Sequence, residues 1–385
     1  MNNNPLAENH PIISTNNVLR PTYLEINLDA ITKNFFDIKK RAGNSVVMPI
    51  LKANAYGHGL ITIAKHLQKL RADYLGVAFL EEGILLRESG IDIPILVLGG
   101  ILGNQVPEFL KYNLTITASS IEKLDFISDA ATTLGVKAKV HLKIDTGMER
   151  LGVHYYNANK FIEKAFSYKN IVVEGLFSHF ADSANPDLSY SRLQLERFND
   201  TVNFAKKSGY EIPLKHISNS GGILQLPEAD FDLVRPGILL FGVYPSDEVK
   251  KTVAVTPALT WKSRVVYFKV IKPNHPVGYG MQWESDKQIR AVTVPVGYGD
   301  GYFRSMTGKA QVLINGKRYP VIGRISMDQI VVNIGNDSAY NNDEVVLVGK
   351  QNDEEITVSD LSEWADTIPY EILTNINTRV PRVYL

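Results

Sequence analysis

Residues 46–60, VVMPILKANAYGHGL, decide the fold. The run Val46–Leu51 is apolar and reads as a buried strand. Lys52 stands where that strand should end. Asn54, Gly57 and Gly59 signal a turn, and Ile61, Ala64 and Leu67 then resume at helical spacing. A lysine, a tyrosine (Tyr56) and a histidine (His58) therefore crowd one strand-to-helix loop. A lysine at the exit of a buried strand can lose hydration, and a desolvated amine has a lowered pKa and becomes a nucleophile. The plainer reading is a solvated strand-end lysine. The loop alone does not decide between them.

Working outward, apolar runs recur at Tyr74–Phe79, Pro94–Leu98, Leu114–Ala118, Val140–Asp145, Val172–Phe180, Leu214–Ser218 and Leu233–Phe241. Most are continuous rather than alternating, as in parallel strands buried on both faces. Amphipathic helices are predicted between them, including Ser120–Leu134 with a capping serine and Ser189–Lys207. Another is predicted ahead of the first strand, over Asn27–Arg41. Eight strands alternating with helices over about 220 residues match a (β/α)8 barrel, with a doubly wound sheet as the competing architecture. From about Thr252 the chain turns β-branched and partly alternating. Strands are predicted within Leu259–Ile271, Ile289–Val296, Ala310–Val321, Ile325–Ile334 and Glu344–Val348. Asn315-Gly316 is a hairpin signal. A short helix capped by Ser359 follows. The expected organisation is a loose Asn-rich tail over 1–19, a barrel over 20–251 and a mostly β domain over 252–385, with the linker around Tyr244–Pro257.

Bulk composition narrows the function. Lys plus Arg equals Asp plus Glu, 41 against 41, so no excess charge favours nucleic acid or an anionic membrane. With no cysteine, disulfides, thiolate catalysis and thiolate metal sites are excluded. No signal-peptide pattern and no apolar run of membrane-spanning length is present. A cytoplasmic protein is the expectation, with no metal site assigned.

In a barrel of this kind the chemistry sits at the C-terminal ends of the strands. Polar residues of functional type fall there: Lys52, Lys143 and Arg150, His179, His216 with Asn219 and Ser220, and Arg235 ahead of Gly237. SNSGG and RPGI offer backbone N–H groups and a hydroxyl where barrels often hold a phosphate. A phosphate site beside a strand-end lysine suggests a phosphorylated carbonyl cofactor in Schiff-base linkage, pyridoxal 5′-phosphate. GYGDGY at Gly297–Tyr302 lacks dinucleotide-site spacing and reads as a loop presenting Tyr298. Lys143 inside an apolar strand must point outward, pair with an acid such as Asp145, or be modified, because a buried unpaired ammonium is costly. The arginines could equally be surface ion-pair partners, and the histidines structural.

The segments VMPILKANAYGHG, HLKIDTGMERLG, LFSHFADS, HISNSGG, LVRPGILLFG, VPVGYGDGYFR, VIGRISMDQ and TIPYEIL…RVPR together resemble the motif series of the bacterial alanine racemases, pyridoxal-phosphate enzymes of fold type III. The resemblance runs from about Arg20 to Leu385, with the motifs in family order. It implies that Lys52 carries the cofactor and serves as one base. Tyr298 would be the opposite base, reaching the barrel of a second subunit in a homodimer with shared sites. Tyr56, Asn219, Ser220, Gly237, Ile238 and Tyr370 would belong to the cofactor site, most of them around the phosphate. Arg235 would face the pyridine nitrogen, Arg150 the cofactor and the substrate carboxylate, and His179 would support Tyr298. Met327 would bind the substrate carboxylate. Lys143 matches a position often N-carboxylated. The implied activity is interconversion of L- and D-alanine, supplying D-alanine for peptidoglycan. Alternatives on the same fold are a racemase of serine, lysine, arginine or a broader range, or a decarboxylase. A non-enzymatic pyridoxal-phosphate protein would lack the second domain. Ser326, Glu149 and VGYGMQW at Val277–Trp283 depart from the usual family pattern, the last in a region that implies variation in substrate breadth.

Overall fold

The structure, a computed structural model, describes residues 18–385. All but the last two residues of the expected tail lie outside that range. The chain divides into two compact units: one holds Thr32–Ala55 and Leu60–Val255, the other residues 18–31, Tyr56–Gly59 and Thr256–Leu385.

In the first unit, eight parallel strands follow one another in the expected order: β1 (Val46–Val47), β2 (Leu75–Val77), β3 (Ile95–Val97), β4 (Thr115–Ala118), β5 (Ala138–Asp145), β6 (Ile171–Phe177), β7 (Leu214–His216) and β8 (Leu233–Val234). Neighbours β2 to β7 pair parallel, with a register shift between β5 and β6 at Val140/His141, and β8 pairs with β1. Two seams close the ring. Arg235 N–H donates to Ser218 O at 3.0 Å between β8 and β7, and Leu51 N–H donates to Gly76 O at 2.8 Å between the chain beyond β1 and β2. The residues of β2, β3 and β4 are all buried, which explains why the strands read as unbroken apolar runs. Ser120 caps the helix Ile121–Leu134 by accepting from Lys123 N–H at 3.2 Å, and Gly135 ends it at φ 66°.

Two strand ends differ from expectation. β6 stops at Phe177, leaving Ser178 and His179 in a loop. The run predicted to Phe241 is strand only at Leu233–Val234, and Ile238–Phe241 form a 3-10 turn. Pro236 has no N–H to continue the ladder, and Gly237 leaves the extended region at φ −104°, ψ −102°.

The second unit is mostly antiparallel. Tyr23–Ile26, a strand the sequence reading missed, pairs antiparallel with Leu259–Arg264 and parallel with the terminal Arg382–Tyr384. The Asn315-Gly316 hairpin forms as expected, with φ of 52° and 74° joining Gln311–Ile314 to Lys317–Ile322. Ile325–Gln329 is loop, not strand; pairing begins at Ile330. Ser359 lies inside the helix Val358–Ala365. Its cap is Thr357, whose hydroxyl accepts from Asp360 N–H at 3.0 Å while the Asp360 carboxylate accepts from Thr357 N–H. Among the described residues, no helix is long and apolar enough to cross a membrane.

Candidate active site

Lys52 begins a turn that the sequence does not announce. Ala53, Asn54, Ala55 and Tyr56 all have φ between 52° and 55°, a single turn of left-handed helix without a glycine. Each such residue costs about 1–2 kcal/mol against a right-handed conformation. The turn is therefore over-determined by its neighbours. Ala55 N–H donates to Leu51 O at 2.8 Å, Leu60 N–H to Asn54 Oδ1 at 2.8 Å, and Ala53 N–H to Glu82 Oε1 at 2.7 Å. Lys52 is reachable by solvent, but the protein mass around its amine impairs hydration. That desolvation, with Arg150 adding repulsion, lowers its pKa below the ordinary lysine value, and Glu82 partly opposes the shift. The sequence expectation for Lys52, a desolvated amine, thus has a physical cause within the barrel unit.

Strands β5 to β8 bring a cationic cluster together. Lys143 is buried on β5, its Nζ 4.8 Å from the centre of the Phe177 ring. No carboxylate lies within ion-pair distance of it among the described residues, so pairing with Asp145 is ruled out. Burial works against ionisation of Asp145. Even so, N–H groups from Gly147 to Arg150 engage its carboxylate and together hold it below the usual range. Burial, then Arg235, pushes Lys143 well below an ordinary lysine, with Arg150 contributing further.

Arg235, also buried, donates from Nη1 to His216 Nδ1 at 2.5 Å and from Nη2 to Ser178 O at 2.8 Å and Ile217 O at 3.0 Å. Its Nη2 also lies 3.2 Å from His179 Nδ1. Because a guanidinium only donates, the His216 proton must sit on Nε2, which then donates to His141 Nδ1 at 2.8 Å. Burial, then the Arg235 charge, holds His141 neutral with a pKa near 3 and pushes His216 and His179 well down. Desolvation brings Arg235 itself to about 9. Its Nε is the one guanidinium nitrogen without a hydrogen-bond partner among the described residues.

A cradle of backbone donors stands beside this cluster. Ser220 Oγ accepts from Gly237 N–H at 3.0 Å, and Asn219 Oδ1 accepts from Gly222 N–H at 3.0 Å and from Ser183 Oγ at 2.6 Å. A methyl group on Gly221 would sit 2.6 Å from Ser183 O, so glycine is required there for close approach. Ile238 opens the 3-10 turn that follows. Glu149, whose neighbour is Arg150, pairs instead with His154 at 2.8 Å.

In the second unit, the loop that carries Tyr298 is fixed to the segment containing Met327. Tyr298 N–H donates to Ser326 O at 3.0 Å, and Gly299 N–H to Met327 O at 2.9 Å. Fully buried Asp300 accepts from Gly297 N–H and pairs with Arg20 at 2.5 Å and Arg379 at 2.6 Å. Arg379 also reaches Asp328 at 2.8 Å. Tyr56 and Tyr370 lie together, ring centres 6.1 Å apart, and desolvation pushes Tyr370 up to about 12. His58 is buried with Nδ1 2.9 Å from Tyr56 O, a structural part of the loop. One candidate was missed: Tyr279, at the start of the turn Tyr279–Met281 between Gly278 and Gly280, which have φ of 73° and 74°. It is 71% exposed, against 42% for Tyr298. Its glycine-flanked position in VGYGM was the available signal.

The family of alanine racemase N-terminal domains matches residues 26–245, and that of the C-terminal domains matches residues 258–384. The chain belongs to the alanine racemase family. It is 44% identical to an alanine racemase of Carboxydothermus hydrogenoformans over 95% of this chain and 100% of the relative. It is 40% identical to one of Halothermothrix orenii over 95% of this chain and 97% of that one. An alanine racemase structure from Clostridium difficile 630 superposes with a TM-score of 0.90 at 37% identity, covering 96% of each chain. A histidine racemase of Leuconostoc mesenteroides has the same fold at 27% identity and a TM-score of 0.85, over 95% of this chain and 98% of that one.

Proposed function

We propose that the protein interconverts L- and D-alanine by proton transfer on the two faces of the substrate α-carbon, with pyridoxal 5′-phosphate held on Lys52. The observation that carries this reading is the placement of Lys52 directly beyond barrel strand β1, on the rim where Arg150, Ser220 and Arg235 follow other strand ends. The donor set fits the cofactor: a lysine of lowered pKa, a glycine-lined cradle at Ser220, Gly237 and Ile238, and the Nε of Arg235 to meet a ring nitrogen. When bound, the cofactor supplies an electron sink that acidifies the α-proton.

The chain's own residues then divide the work. Lys52 would hold or return a proton on one face. Arg235 keeps donating and does not readily surrender its proton, so it would leave a facing ring nitrogen unprotonated, which we infer would suppress side reactions such as transamination. Asn219, Ser220, Tyr56 and Tyr370 are assigned to the cofactor site, and Arg150 and Met327 to the substrate carboxylate. His179 is assigned to support the opposite base. Lys143, buried without an acid partner, is assigned an N-carboxyl group, which would make it an anion facing Arg150 and Arg235.

The opposite base is a tyrosine of the second unit. The motif series nominates Tyr298. A second reading, Tyr279, is favoured by its greater exposure at a glycine-flanked turn. The first reading gains support because the Tyr298 backbone is tied beside Met327, the proposed carboxylate binder. In either case the tyrosine would serve the barrel of a second copy in a homodimer. Exposed Tyr267, Phe268 and Val270 on one edge strand support such a contact. The product would feed peptidoglycan synthesis in the cytoplasm. The histidine racemase on this fold favours testing a broader range of substrates. A chiral assay over a panel of L-amino acids with pyridoxal phosphate tests the reading. Alanine is expected to react fastest; no racemisation of any amino acid would refute it.

A further inference from the structure

We infer that Glu82 is a positioning residue for Lys52, locking the left-handed turn that aims the lysine. The inference rests on the assignment of Lys52 as the cofactor lysine. It is carried by three hydrogen bonds to one side chain. Glu82 Oε1 accepts from Ala53 N–H at 2.7 Å, directly after the lysine. Its Oε2 accepts from Ala78 N–H at 2.8 Å and Phe79 N–H at 3.2 Å, where β2 gives way to the helix Leu80–Glu88. The carboxylate therefore ties the exit of barrel strand β1 to the exit of β2, across the rim where the chemistry is proposed.

An ordinary helix cap would use only the bonds to residues 78 and 79. The bond to Ala53 is additional, and it falls on the first of four consecutive left-handed residues. Alanine has no intrinsic preference for that conformation, so hydrogen bonds must hold it there. Glu82 spans 29 residues to supply one of them. It is also the one acid among the groups acting on the Lys52 amine, opposing Arg150. Both oxygens accept N–H groups, so a carboxamide cannot replace the carboxylate: its NH2 would face a donor.

The test combines borohydride trapping of pyridoxal phosphate on Lys52 with trace acetylation of the full-length chain after hydroxylamine has stripped the cofactor. Acetylation read by mass spectrometry as a function of pH reports the Lys52 amine without any turnover. Glu82→Gln is expected to move the Lys52 midpoint to lower pH, to slow trapping at least about tenfold, and to reduce racemisation roughly 10²-fold. The exposed neighbour Glu81→Gln should change none of these. Glu82→Asp keeps the charge but shortens the reach, so it should restore the midpoint more than the trapping rate, and it serves if the glutamine variant does not fold. An unchanged midpoint with trapping within twofold of the parent would overturn the inference, as would a loss of thermal stability alone. A parent protein labelled on another lysine would overturn the Lys52 assignment instead, and the acetylation midpoint would still report whether Glu82 governs Lys52.

Discussion

The turn carrying Lys52 and the loop carrying Tyr298 solve the same problem differently. Each holds, at a chain reversal, a side chain proposed to be reactive. The lysine turn has four left-handed residues and no glycine among them, and it relies on acceptors from Glu82 and Asn54. The tyrosine loop places glycine at positions 297, 299 and 301 and anchors itself on buried Asp300 between two arginines. Hydrogen bonds thus constrain strain in one case, and a buried charge cluster fixes a permissive backbone in the other. The lysine turn should respond to loss of single acceptors, and the tyrosine loop to loss of charge or to added bulk.

The largest effect is expected at Asp300. Replacing it with alanine leaves Arg20 and Arg379 facing each other without a buried acid, and should cost roughly 3 kcal/mol or more in urea unfolding of the second unit. If the loss is no greater than that of an exposed pair, the anchor is not the charge cluster. Gly297→Ala comes next. The backbone there is extended at φ −160°, so the penalty is purely steric: the methyl would meet Ser326 O at 2.2 Å and Met327 O at 2.4 Å. Activity should fall by about 10²-fold while the barrel stays folded. Full activity would show that the loop has slack.

Acid should separate the units. His141, His179 and His216 are held below their ordinary pKa when folded, so between the folded and unfolded values the unfolded chain binds more protons. Barrel stability is then fully present above about pH 6.5 and falls as pH drops below it, by up to about 1.4 kcal/mol per pH unit for each histidine. Hydrogen exchange of β5 and β7 against pH reads this directly, and a flat profile from pH 7 to 5 would contradict it. The smallest effect is expected for Asn54→Ala, which removes one acceptor from the lysine turn and should cost about 1 kcal/mol in thermal unfolding.

What was legible in the sequence follows from the same physics. Barrel strands were readable because burial on both faces leaves continuous apolar runs, and Lys52 stood out as the break in one. Ser120, Gly135 and Asn315-Gly316 were readable because their local chemistry acts within a few residues. The left-handed turn was not, since Ala53 and Ala55 carry no signal for it and Glu82 acts from a distance. The strand Tyr23–Ile26 was too short for alternation to show, and its partners lie more than two hundred residues away. Ser359 was read as a cap, but the reciprocal bonds with Asp360 belong to Thr357. Tyr279 was passed over because its motif was read as a departure rather than as a presented side chain.

Two bases are proposed to act on opposite faces, Lys52 on one and a single tyrosine of the second unit on the other. The most direct measurement is incorporation of solvent deuterium at the α-carbon of alanine, followed separately from the L and D sides, in Tyr298→Phe and Tyr279→Phe. One of the two is expected to lose exchange from one enantiomer far more than from the other, while the second affects both alike through substrate binding. Small and symmetric effects in both variants, with Lys52 still carrying the cofactor, would contradict the two-base mechanism.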